Sequence, residues 1–217
     1  MTPPDLPLSP SSSRRRAADK AESILQGAMQ EFLAYGYAAA SMDRIASVAG
    51  VSKPTLYSYF QDKEGLFTAL INYLTEGKAE IGVDPALFQL PLPDGLKQIA
   101  TNVLDNFSRE KPLLTLMRVM IGESGRFPAL AQTFVRNIEK PVLEKITQLF
   151  AQHSDSHATD PEIMARMFMG SIIHYVITQE VLHGRDLLPM ERSRYIDGLI
   201  KAMIQAVSQN SNVAPEE

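Results

Sequence analysis

Residues 41–63, Ser-Met-Asp-Arg-Ile-Ala-Ser-Val-Ala-Gly-Val-Ser-Lys-Pro-Thr-Leu-Tyr-Ser-Tyr-Phe-Gln-Asp-Lys, leave the fold little freedom. Ser41 is a ready N-cap, and Ile45, Ala46 and Ala49 recur at helical spacing in a segment too short to be stable unless it packs on neighbours. Gly50 stops that helix, because glycine enters the left-handed conformation without steric cost and turns the chain sharply. Val51 can dip into a core. Ser52 then caps a second helix, whose early Pro54 lacks only an amide that has no helical partner. Two short helices across a tight turn, at about 41–60, form a helix-turn-helix.

Leu56 and Phe60, four apart, share the face of the second helix that must be buried, leaving Lys53, Thr55, Tyr57, Ser58 and Tyr59 over the rest. Hydroxyls, phenols and an ammonium can donate to phosphate oxygens and touch base edges in a major groove. Lys63 opens the next helix, where its charge and the unpaired amides both favour a phosphate. The candidate DNA-contact set is Ser41, Arg44, Lys53, Pro54, Thr55, Tyr57, Ser58, Tyr59 and Lys63. The stretches Ser-Met-Asp-Arg-Ile-Ala, Ala-Gly-Val-Ser-Lys-Pro-Thr-Leu-Tyr-Ser-Tyr-Phe and Asp-Lys-Glu-Gly-Leu resemble the DNA-binding head of TetR-family transcriptional regulators, with Pro54 standing where many members have glycine.

Cysteine is absent from the 217 residues, which excludes disulfides and thiolate metal sites and fits a reducing cytoplasm. The N-terminus lacks the basic-then-apolar order of a signal peptide, and no apolar run is long enough to span a bilayer. A net charge of −4 runs against DNA binding until its distribution is considered. Residues 1–78 hold 8 basic and 8 acidic residues, leaving 13 of the 21 basic and 17 of the 25 acidic residues to the remainder. The acidic excess therefore lies outside the head, and Arg44, Lys53 and Lys63 can still form a local patch.

Residues 1–16 read as a disordered tail ending in Arg14, Arg15 and Arg16, either an arm along DNA or a solubilising tail. From Ala17 to about Tyr35 the stripe Ala21, Ile24, Leu25, Ala28, Phe32 and Leu33 marks the first head helix, which Gly36 stops. A bracing helix from Lys63 to about Glu80 completes a head at 17–80 and leads into the body. The prolines of residues 82–93 predict a loop at the boundary. Helical stripes resume through a body at 81–208, and residues 209–217 read as a polar, disordered tail. One of the body helices runs from about Pro128 to Phe150, with a kink expected at Pro141. No strand alternation appears. The expectation is an all-α protein of about nine helices, a helix-turn-helix head on a helical ligand-binding and dimerisation body.

Helices at about 161–183 and 189–207 are apolar over so much of their surface that pairing with a second copy explains them, through Phe168, Ile172, Ile173, Val176, Ile196, Ile200 and Met203. Phe107, Met117, Met120, Ile121 and Phe134 are the candidates for lining a cavity suited to a small apolar or amphipathic molecule. His153, Asp155, His157 and Asp160 have metal-like spacing, but the intervening Ser154, Ser156 and Thr159 favour a polar linker. Neither a phosphate-binding glycine loop nor a nucleophile elbow occurs, so no catalytic residue and no cofactor is assigned. Leu114 to Phe134 resembles the C-terminal domains of the AefR-like TetR subgroup. That resemblance implies a homodimeric repressor whose two heads read a palindromic double-stranded operator and whose body binds an inducer. An activator of the same fold, or a helical carrier or enzyme without DNA binding, are the other readings.

Overall fold

Helical periodicity is realised throughout the computed structural model, which describes residues 10–75, 83–108, 112–153 and 160–209. Among the described residues every regular element is helical. The head comprises α1 (Pro10–Ala39), α2 (Met42–Val48), α3 (Lys53–Tyr59) and α4 (Lys63–Thr75). The body holds α5 (Leu92–Asn106), α6 (Pro112–Glu123), α7 (Pro128–Phe134), α8 (Lys140–His153), α9 (Pro161–Val176) and α10 (Arg192–Gln209). A π turn, Val135–Glu139, fuses α7 and α8 into one rod, so among the described residues nine rods stand where about nine helices were expected.

Several boundaries differ from the sequence reading, each for a local reason. α1 begins at Pro10 and takes the arginine run into its first turns instead of leaving it on a loose tail. Gly36, at φ 75°, breaks the helical course of α1 before Ala39. Leu33, expected on the buried stripe, is exposed, while Ile24, Leu25, Ala28 and Phe32 are buried. The proline-rich boundary contains a 3-10 turn, Pro85–Gln89, capped by the Asp84 carboxylate, and α5 already starts at Leu92. The expected reach of α4 to Glu80, the far tails, and His157 with its neighbours lie outside the described residues.

The π turn before Pro141 has a direct cause. Proline offers no N–H to the Asn137 carbonyl, and its ring crowds that oxygen, so the chain widens by one residue just upstream. The Lys140 amide donates to the Val135 carbonyl, five residues back. A second π turn, Ile177–Val181, ends α9, and His183 follows in the left-handed region at φ 56°.

Body and head share a continuous core. In the body, Phe150 of α8 meets Phe168 of α9 edge to face at 6.3 Å, both fully buried. Truncating such a ring costs about 3 to 5 kcal/mol. At the junction, Tyr37 packs against Phe32 and Phe67 of the head and, at 5.1 Å, against Phe127 of the body. The Glu123 carboxylate accepts from the Ala38 amide at 3.2 Å, and a Cβ on Gly36 would lie 2.9 Å from the same oxygen. Among the described residues no helix is long and apolar enough to cross a membrane.

Candidate nucleic-acid interface and ligand cavity

The turn of the head forms as its residues dictate. The Ser41 hydroxyl accepts from the Arg44 amide at 3.2 Å, Gly50 adopts φ 67°, and the Ser52 hydroxyl accepts from the Thr55 amide at 3.3 Å. Leu56 is fully buried under α3, with Tyr59 and Phe60 packed partly beside it. Lys53, Pro54, Tyr57 and Ser58 remain on the outer face. Tyr57 is 42% exposed, a high value for an aromatic ring with no structural task on that side. The Lys53 ammonium lies 2.7 Å from the Asp43 carboxylate, whose hydrogen bond and charge raise its pKa, so it stays cationic. Thr55 and Ser58 serve locally first: Thr55 Oγ1 is 2.8 Å from Ser52 Oγ, and Ser58 Oγ donates to the Thr55 carbonyl at 2.7 Å.

Two residues expected at the groove point elsewhere. The Lys63 ammonium turns inward and donates to the carbonyls of Tyr37, Ala38 and Ala40 at 2.8, 3.3 and 3.1 Å. It caps the end of α1 and sits 4.6 Å from the Tyr37 ring centre. Burial lowers its pKa, and the charge of Glu123 acts against that shift. The start of α4 is not open to a phosphate either, because the Asp62 carboxylate accepts from the Gly65 amide at 2.7 Å and places a negative charge there. Arg44 likewise braces the head internally. Its guanidinium pairs with the buried Glu31, donates to the Ala39 carbonyl and lies over the Tyr35 ring at 4.6 Å.

In the body, Phe107, Met117, Met120, Ile121 and Phe134 are brought together around one apolar cavity of about 190 Å³. Its remaining wall includes Val103, Ile138, Val142, Leu143 and Met169, with Glu139 the one acid among the lining residues. Ile173, expected at a subunit interface, faces this cavity instead. The other interface candidates are also turned inward: Phe168, Ile172 and Val176 are fully buried, and Ile196, Ile200 and Met203 are between 5 and 8% exposed within the single chain. The outward apolar side chains of α9 are Ile163 and Met167, each about half exposed, followed by Leu182, Leu187 and Leu188. An all-round apolar helix does not reveal in sequence which side its own chain covers.

His153 Nδ1 lies 2.9 Å from the Leu149 carbonyl as an ordinary helix-end contact. Among the described residues no group of three potential metal ligands converges.

A head built on a capped helix-turn-helix, carried by an all-helical body, defines a class of helix-turn-helix transcriptional regulator. Residues 24–70 match the family model for bacterial regulatory proteins of the tetR family, and residues 94–206 match the AefR-like transcriptional repressor C-terminal domain. The chain belongs to the TetR family of transcriptional regulators; it is not an enzyme. It is 27% identical over 200 residues to the uncharacterized HTH-type transcriptional regulator YhgD of Bacillus subtilis, covering 88% of this chain and 98% of that one. The Flavonoid-responsive Regulator FrrA superposes with a TM-score of 0.68 at 29% identity, over 86% of this chain and 96% of FrrA. FadR of Bacillus subtilis, solved with stearoyl-CoA, shares the fold with a TM-score of 0.67 at 18% identity, over 86% of this chain and 97% of FadR.

Proposed function

We propose that the protein is a homodimeric repressor that holds a palindromic operator through α3 and releases it when a small apolar molecule enters the body cavity. The observation that carries this reading is the pairing of an outward face on α3, made of Lys53, Pro54, Tyr57 and Ser58, with a cavity walled by Phe107, Met117, Met120, Ile121 and Phe134. The head turns the Tyr57 phenol and the Lys53 ammonium outward, and the body offers an apolar cavity. Repression is favoured over activation by the AefR-like repressor match over the body. Ligand release is supported by relatives named for a flavonoid response or solved with an acyl-CoA. A cytoplasmic location fits work on the chromosome.

Dimerisation rests on the outward Ile163 and Met167 near the start of α9 and on the exposed Leu182, Leu187 and Leu188 past its end. Large apolar side chains turned outward at both ends of this helix are better covered by a second copy than left in water. Two heads reading successive major grooves must then stand about 34 to 36 Å apart.

A gel-shift with DNA flanking the coding region tests the reading. A shifted band that forms with wild type, weakens with Tyr57→Ala and needs two half-sites supports it. No specific band at any salt concentration would sink it.

A further inference from the structure

The apolar cavity does not end at its own wall. Val135, Glu139 and Leu143 line both it and an open groove of about 710 Å³ between α8 and α9. The groove brings in Lys140, Glu144, Glu162 and Arg166. Those four balance: Lys140 sits 3.7 Å from Glu144, and Arg166 lies 2.6 Å from Glu162. Glu139 is different. It stands where apolar cavity and polar groove meet, and among the described residues it has no ion pair and no hydrogen bond. Its carboxylate is the unbalanced charge of the combined site.

We infer that the ligand of this site is an amphipathic cation, with a compact apolar body in the cavity and an ammonium-type group at the Glu139 carboxylate. The inference rests on the reading of the cavity as a ligand site and adds the chemistry of what enters it. Size limits the body: an apolar protein cavity of about 150 Å³ accommodates benzene, so about 190 Å³ takes one ring and a short chain. Charge selects the other end. A carboxylate or phosphate at the junction would face Glu139 with no cation left over, whereas an ammonium gains a charge-assisted hydrogen bond.

Three probes with the same body separate these claims: phenylbutylamine, phenylbutanol and phenylbutyrate, titrated calorimetrically into the full-length protein at neutral pH. The amine is expected to bind about tenfold more tightly than the alcohol, with the acid weakest. Glu139→Gln should erase the difference between amine and alcohol while leaving the alcohol unchanged. Glu139→Lys should bring the acid ahead of the amine. Because Glu139 is exposed at the rim, neither variant endangers the fold. If the acid binds best to wild type, or if Glu139→Gln leaves the ratio of amine to alcohol as it was, the cation inference is overturned while the alcohol's binding still supports the cavity. Binding of none of the three up to millimolar concentration would overturn the cavity reading and the inference together.

Discussion

Lys53 and Lys63 begin two helices ten residues apart, and their surroundings give them opposite tasks. The Lys53 ammonium reaches only an exposed carboxylate, so Lys53→Ala should weaken operator binding and leave the melting temperature unchanged. The Lys63 ammonium serves three carbonyls at the end of α1, and Lys63→Ala should cost about 1 to 3 kcal/mol of stability, read as an earlier chemical or thermal unfolding midpoint. Tyr37, beneath it, gives a pH signature. Burial, with the charges of Glu64 and Asp62 adding to it, pushes the phenol up to about 12 from its ordinary 10.0. A raised pKa means that the folded protein keeps a proton the unfolded chain has lost, so the stability Tyr37 contributes is complete below pH 10 and fades as pH rises toward 12. The lowered pKa of Lys63 acts in the opposite sense but is exhausted near its unfolded value of 10.5. Denaturant midpoints measured from pH 10.5 to 12 should therefore fall more steeply for wild type than for Tyr37→Phe. Sequence showed the charge of both lysines and not their direction, because the carbonyls that capture Lys63 come from 23 to 26 residues earlier in the chain.

Individual helices repeat that distinction. Periodicity and caps were enough to expect α2, α3 and the turn between them, since Ser41, Gly50, Ser52 and Pro54 all act locally. Phe107, Met117, Met120, Ile121 and Phe134, singled out in sequence only as apolar residues of the body helices, line one cavity. The sidedness of α9 and α10 was not, because a helix apolar on every side presents the same pattern whether its own chain or another copy covers it. Glu139 was also missed; a charged residue beside Pro141 reads as surface until the π turn brings it to the cavity rim. The corrected sidedness makes a contrast that sedimentation and circular dichroism can check. Ile163→Asp or Met167→Asp, on the outer face, should give a helical monomer. Ile200→Asp, buried within the protomer, should instead lose about 3 kcal/mol or more and unfold the body. Helical monomers from the Ile200 variant, or dimers from both outer ones, would reverse the assignment.

At the scale of the whole molecule, cavity and head are joined by short links. The π turn at the cavity wall touches α4 directly, with Asn137 donating to Asn72 at 3.1 Å. One turn beyond Met120 and Ile121, Glu123 holds the Ala38 amide. If a ligand shifts these walls, operator and ligand must weaken each other by the same factor, with a coupling of about 1 to 3 kcal/mol. Glu123→Ala should shrink that factor toward one while leaving each affinity, measured alone, nearly intact. Calorimetry of ligand into free and operator-bound protein measures it, and an undiminished factor in the variant would place the coupling elsewhere.

The joint at Tyr37 also bears on how such regulators can be recombined. Phe127 and Glu123 of the body complete a surface that begins on the head with Gly36, Tyr37 and Ala38, so head and body are not interchangeable cassettes. A chimera that joins this head to a foreign body in the stretch after Thr75 should be expressed with an ill-fitting seam and respond poorly to the donor's ligand. Transplanting Glu123 and Phe127 along with the head should restore the response, which a reporter driven by the operator would register as regained induction.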